Sequence, residues 1–265
     1  MSLTLSKAAV QVLATADPAE KCRLTREFAA DWQAGRIADL GDTLPPPRPA
    51  RPPRPDLVPP KDMPKRAYGG ERGRTALVHA LAHIELNAID LGWDIIARFA
   101  AAEAVPRAFL DDWVQVALDE AVHFEMLQAL LAALGAGYGD LPAHDGLWQA
   151  AEKTQGDLAA RLAVVPMTLE ARGLDTTPAT MAKLERNGDT ATPPALDVIF
   201  KDEITHVAAG VRWFRWLAAK RGQDGKALYH ATMAEYYRGA LKPPFNHDAR
   251  AEADFPKDWY EALAV

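Results

Sequence analysis

The chain has 265 residues, of which 49% are hydrophobic and 25% charged, and its formal net charge is −6. This is an ordinary globular composition, and the negative charge argues against general nucleic-acid affinity, although a local basic patch stays open. The single cysteine, Cys22, excludes a disulfide within the chain and disfavours a thiolate metal site. The N-terminus lacks signal-peptide features, and no stretch reaches about 18 uninterrupted apolar residues. We therefore expect a reduced, cytoplasmic protein without a membrane segment.

Taken in chain order, the sequence predicts an all-α protein, because hairpin dipeptides between alternating apolar runs are nearly absent. Two short N-terminal helices are followed by a proline-rich stretch, which must be extended and could be a free linker or a strap on the surface. Long helical runs then predict a four-helix bundle, and a last helix leads into an aromatic tail packed on that bundle. The predicted segments are 1–44, 45–72, 73–221 and 222–265, in this order.

Loop-forming residues predict where the helices stop. In the N-terminal segment, Asp17 is a candidate cap and Pro18 a candidate first residue of the second helix. The last helix is expected over about 225–240. Breaks within the long helical runs are predicted at 102–108, 135–146, 172–178 and 186–194.

Two of the predicted helices carry the same pattern, "DEAVH" at 119–123 and "DEITH" at 202–206. In each helix, positions that step by three and four residues form an apolar seam typical of a bundle core. Glu and His occupy the third and fourth places of both seams, and an earlier helix carries one acid in a similar seam. The residues that interrupt the three seams are Glu85, Glu120, His123, Glu203 and His206.

These acids lie where apolar side chains belong, and burying an unpaired carboxylate costs several kcal/mol. A bound cation would compensate their charge. Glu170 is the candidate ligand of a fourth helix, although Pro166 and Gly173 require that helix to bend or bulge. Glu85 and Glu120 are 35 residues apart, and Glu170 and Glu203 are 33 apart, which suits matching heights on two antiparallel hairpins. Four carboxylates would balance two divalent ions, and oxygen with imidazole ligands favours iron, with manganese as the alternative.

The Asp that precedes each Glu has a candidate role, because a metal-bound His usually donates its other ring N–H to an acceptor. We predict that Asp119 holds His206 and that Asp202 holds His123; the alternative is that both are ordinary solvated acids. Two histidines near Glu85, His79 and His83, are interpreted as structural or supporting residues, and His144 could line an entrance to the site.

The paired "DExxH" motifs with two lone glutamates resemble the ferritin-like di-iron superfamily, which includes ribonucleotide reductase small subunits and bacterial multicomponent monooxygenases. The stretches "HALAHIELNAIDL", "YGDLPAHDGLW", "LEARGLDTTP" and "DEITHVAAGVRWF" look more like a bacterial ferritin-like family known as a domain of unknown function, from about Pro45 to the end. This resemblance implies a ferritin-like four-helix bundle with six metal ligands and implies no established reaction. A more distant similarity is to the di-iron hydroxylase that modifies an isopentenyl-type adenosine in tRNA.

These observations favour an O2-activating oxidoreductase that holds two iron ions, or a mixed iron and manganese pair, and acts on a small organic substrate. Its electrons would come from an external donor, because no nucleotide-binding glycine fingerprint or cysteine cluster is present. The alternatives are a ferroxidase, storage or peroxide-scavenging protein, a module whose metals only stabilise the fold, and a tRNA-modifying hydroxylase that uses the arginines of the proline-rich stretch. A homodimer stays open.

Overall fold

The computed structural model describes residues 3–237 and 239–265. Residues 1, 2 and 238, which fall in the predicted N-terminal and C-terminal segments, lie outside the described residues. The predicted all-α class is confirmed: these two ranges contain helices, two isolated β-bridges and no strand. Within the same ranges, no helix combines the length and the apolar character that crossing a membrane requires.

The described chain forms two compact units. The first runs up to Trp148 and also includes Asn187–Ala195, and the second consists of Gln149–Arg186 and Leu196–Val265. The four segments predicted from the sequence follow different boundaries, and they stay predictions.

The first unit is built on four helices: α1 (Leu5–Leu13), α2 (Pro18–Gln33), α3 (Glu71–Phe99) and α4 (Arg107–Ala133). The long helices α3 and α4 pack together, while α1 packs on α3 and α2 on α4. The start of α2 is as predicted, since the Asp17 side chain accepts a hydrogen bond from the Glu20 amide at 2.8 Å and Pro18 is the first helical residue.

The proline-rich segment lies along α3, so it is a strap and not a free linker. Arg51 Nη1 lies 2.6 Å from Asp90 Oδ2, and Arg51 Nη2 donates to Asn87 Oδ1 at 2.6 Å. Arg98 of α3 donates to the Pro46 carbonyl at 3.2 Å. Proline has no backbone N–H, so these side-chain contacts hold the strap together with a few backbone hydrogen bonds, such as the one from the Ala50 amide to the Leu13 carbonyl at 2.7 Å.

The remaining helices follow in order from the end of the first unit through the second. Helix α9 packs on α6 and α11, and α10 packs on α7. The last long helix ends at Tyr236, somewhat before the predicted 240. The bounds are α5 (Gly146–Lys153), α6 (Leu158–Val164), a π-helix (Val165–Glu170), α7 (Ala171–Arg186), α8 (Thr192–Lys220), α9 (Gly225–Tyr236), α10 (His247–Glu252) and α11 (Lys257–Tyr260).

The predicted breaks at 102–108, 135–146 and 186–194 are confirmed, but the break at 172–178 is wrong. Helix α7 continues through this stretch with Pro178 inside it. A proline cannot donate to the carbonyl four residues earlier, which here belongs to Leu174. The side-chain amide of Asn246 donates to that carbonyl at 3.1 Å, so the missing backbone bond is replaced by a contact from a distant part of the sequence.

Candidate metal centre

In the first unit, α3 and α4 place three of the predicted ligands side by side. Glu85, Glu120 and His123 have relative exposures of 3%, 0% and 0%. His123 Nδ1 lies 3.2 Å from Glu120 Oε2 and 3.6 Å from Glu85 Oε2. One ligand atom from each residue lies within 4.8 Å of the other two, a spacing that fits a metal ion.

The close approach of the two helices depends on small residues near these ligands. Gly92 follows Glu85 by two helical turns, and Ala117 precedes Glu120 by three residues. A Cβ atom at position 92 would lie 3.1 Å from the Ala117 Cβ, which is tighter than ordinary van der Waals contact. The absence of a side chain at Gly92 therefore sets how near α3 can come to α4.

The carboxyl groups of this cluster are buried and lie close to one another. Burial and, after it, the neighbouring Glu120 carboxyl raise the pKa of Glu85 from 4.5 to about 8. Glu85 Oε2 accepts no hydrogen bond from the described residues. A divalent cation supplies what such a group lacks, since it compensates the charge and occupies the lone pairs. Two carboxylates and an imidazole are thus a donor set that can hold a metal ion.

In the second unit, the second Glu-x-x-His motif lies on α8 and is nearly buried. Glu203 is 8% exposed and His206 is 1% exposed. Glu203 Oε2 lies 3.8 Å from His206 Nδ1, so both side chains leave the helix on the same face one turn apart, as the spacing predicts.

Glu170 is the last residue of the π-helix, and its side chain is half-buried. The sequence predicts a bend or bulge at this point, and the π-helix confirms it. Within the second unit, Pro166 of this π-helix contacts Gly210 of α8, four residues after His206. A Cβ atom at position 210 would lie 2.7 Å from the Pro166 Cβ, so only glycine allows this approach.

The acids that precede the two motif glutamates, Asp119 and Asp202, are the predicted acceptors for the ring N–H groups of the metal-binding histidines. Asp119 and Asp202 are both half-buried. Asp119 Oδ1 accepts a hydrogen bond from Gln115 Nε2 at 2.8 Å. The pairings of Asp119 with His206 and of Asp202 with His123 stay predictions.

Helix α3 also carries a stripe of buried polar residues that was not predicted from the sequence as one group. Its members step by four, four, three and four residues, which is a signal that the sequence does contain. Their partners come from the strap, from α2, from the loop before α5 and, for Asp94, from Arg98 of α3 itself. The stripe consists of His79, His83, Asn87, Asp90 and Asp94.

The two histidines of this stripe make hydrogen bonds to the loop before α5. His83 Nδ1 accepts from the Tyr138 hydroxyl at 2.8 Å, and His79 Nε2 accepts from the Gly139 amide at 3.0 Å. Burial, followed by the charge of Arg51, lowers the pKa of His83 to about 4. A neutral imidazole in these hydrogen bonds fixes the loop that joins α4 to α5.

The fold and the site together define an all-α protein with buried carboxylate and imidazole groups that can hold a metal ion. The chain belongs to the family described as "Protein of unknown function (DUF455)", whose family model matches residues 14–261. It is also similar to a Haemophilus influenzae protein named "Uncharacterized protein", with 41% identity over 259 residues that cover 93% of this chain and 90% of the relative. No solved structure matches the chain.

Proposed function

We propose that this protein is a metal-dependent oxidoreductase of the ferritin-like di-iron type. Two metal ions would be held by the six residues that the sequence predicts as ligands. The observation that carries the proposal is the buried group on α3 and α4, in which two carboxylates and an imidazole share one small volume. The predicted ligands are Glu85, Glu120, His123, Glu170, Glu203 and His206.

The role of the protein is to supply ligands in a place that water does not reach. Trp113, Val116 and Leu127 continue the seam that carries Glu120 and His123, and all three are buried. Such surroundings strengthen the attraction between carboxylates and cations. They also keep solvent away from a reactive centre.

When bound, two iron ions would supply the redox chemistry with O2 that carboxylate and histidine side chains cannot supply themselves. The side chains would then act by orienting the ions and by exchanging protons for metal at the Glu85 carboxyl. The proposed substrate is a small organic molecule, and a separate electron donor would reduce the site.

The arginines of the strap give the tRNA-modifying alternative little support. Arg51 is held by Asp90 and Asn87, and Arg48 Nη2 lies 2.5 Å from Asp145 Oδ2. Phosphate binding through these two side chains would require breaking ion pairs that hold the strap in place. The proposal is therefore the small-molecule reaction.

The deciding experiment is metal analysis of protein purified without oxygen, followed by optical spectra during exposure to O2. We expect two iron ions per chain, O2 consumption by the reduced protein and a transient absorbing species. Consumption of peroxide with no organic substrate would favour the ferroxidase or scavenging alternative. Metal that restores folding without any O2 consumption would favour a structural role and would refute the proposal.

Ligand variants test the assignment itself. Glu120→Ala and His206→Ala are each expected to lose bound iron, because each removes a proposed ligand atom. Glu125→Gln is the matched control, since this half-exposed acid lies on the same helix and pairs with Arg26. A full iron content in either ligand variant would show that the assignment is wrong.

A further inference from the structure

The C-terminal part of the second unit holds the backbone of α7 just after the π-helix that carries Glu170. Arg250 Nη2 donates to the carbonyl of Ala171, the residue that follows Glu170, at 3.3 Å. Asn246 Nδ2 donates to the Leu174 carbonyl at 3.1 Å. The N-cap residue and the fourth residue of α10 thus bind two carbonyls in the first turn of α7.

Arg250 is fixed in this position by an ion pair with Asp175. Its Nε and Nη2 atoms donate to the two carboxylate oxygens at 2.9 and 2.8 Å. The side chains of Arg250 and Asp175 are 4% and 0% exposed. The guanidinium carbon also lies 5.1, 5.5 and 4.5 Å from the ring centroids of Phe245, Phe255 and Tyr260, so the side chain has little freedom to move.

Asn246 completes the arrangement at a point where α7 lacks a backbone bond. Pro178 leaves the Leu174 carbonyl without its helical donor, and the Asn246 amide replaces that donor. The Asn246 backbone amide donates to Asp175 Oδ1 at 2.9 Å, and its side-chain oxygen accepts from the Ala249 amide at 3.2 Å. One residue therefore both starts α10 and ties it to α7.

Stability alone does not account for this arrangement. Replacing a buried ion pair with apolar residues of similar volume is often neutral or stabilising. What an ion pair adds is a fixed geometry, because the planar guanidinium binds the carboxylate and the Ala171 carbonyl at defined angles. The segment that these contacts hold is the end of a π-helix, a conformation that neighbouring contacts must hold in place.

We infer that Arg250 and Asn246 are positioning residues for the proposed metal ligand Glu170. They hold the first turn of α7, and this turn fixes where the π-helix ends and so where the Glu170 carboxylate is presented. The inference rests on the proposed function for the role of Glu170 as a ligand. The hold on the π-helix itself depends only on the contacts within the second unit.

The test uses the double variant Arg250→Met/Asp175→Leu, which replaces both members of the ion pair with apolar side chains and so leaves no buried charge unpaired. We expect it to fold, with a circular dichroism spectrum like that of the wild type. Hydrogen exchange of the metal-free protein should be about tenfold faster for amides over 165–175. Anaerobic titration with Fe²⁺ should show about tenfold weaker binding of one of the two ions, as expected for lost support of a ligand.

The matched control is Lys226→Met/Asp258→Leu, which makes the same charge change at an exposed ion pair of the same unit and should change neither measurement. If the first double variant does not fold, Asn246→Ser replaces it, because serine still caps α10 but lacks the amide donor. Fe²⁺ binding by the folded variant with wild-type affinity would overturn the inference, whatever the exchange rates. A wild type that binds no Fe²⁺ would refute the proposed function, and unchanged exchange over 165–175 would separately refute the hold on the π-helix.

Discussion

Replacing Glu120 with glutamine should stabilise the metal-free protein while it abolishes metal binding. The pKa of Glu85 rises from 4.5 to about 8, and each tenfold change in proton affinity corresponds to about 1.4 kcal/mol. Keeping Glu85 ionised in the folded, metal-free protein therefore costs on the order of 5 kcal/mol. Burial is the larger cause and the Glu120 charge the second, so the part that glutamine removes is about 1–2 kcal/mol.

The sign of the pH dependence follows from the raised pKa. The folded state holds a proton on Glu85 that the unfolded state loses above pH 4.5, so the stability of the metal-free protein should fall as pH rises from about 4.5 to about 8. Urea unfolding of chelator-treated protein at pH 6 and pH 8.5 measures this change. Glu120→Gln should show a smaller loss than the wild type, and Glu125→Gln should match the wild type. A larger loss in Glu120→Gln would refute the proposed repulsion between the two acids.

Two further substitutions test the packing within each unit. Asp90→Asn should destabilise the protein by about 3–5 kcal/mol in urea unfolding, because it removes the buried partner of Lys21; a loss below about 1 kcal/mol would show that water reaches this ion pair. Gly210→Ala should cost about 1–3 kcal/mol, since the added Cβ would lie 2.7 Å from the rigid Pro166 ring. Gly173→Ala is its control, because, apart from the adjacent residues and the backbone of its own helix, no atom of the described residues lies within 4 Å of the added Cβ, and alanine favours a helix interior. Equal melting temperatures for the two alanine variants would contradict the packing argument.

The sequence was sufficient for the features that depend on local periodicity. The steps of three and four residues predicted the helices and placed Glu120 and His123 on one buried face. The same reasoning predicted an irregular backbone near Glu170, where the structure has a π-helix. These predictions succeeded because side-chain spacing along a single helix determines which residues share a face.

Features that depend on contacts between distant residues were missed. Pro178 predicted a helix break, but α7 continues because Asn246, 68 positions further along the chain, supplies the donor that proline removes. The ion pair between Lys21 and Asp90 was missed for a similar reason. Local propensity is a weak guide wherever tertiary contacts replace a missing backbone hydrogen bond.

A comparison of two buried acids of α3, Asp90 and Glu85, shows what distinguishes the candidate site from ordinary packing. Asp90 is fully buried and is compensated by the cations Lys21 and Arg51. Glu85, five residues earlier on the same helix and almost as deeply buried, lies beside another acid, Glu120. The chain thus provides cationic partners for one buried carboxylate and a second negative charge for the other. A fold selected for stability alone gains nothing from the second arrangement, whereas a site that must bind a divalent cation requires it.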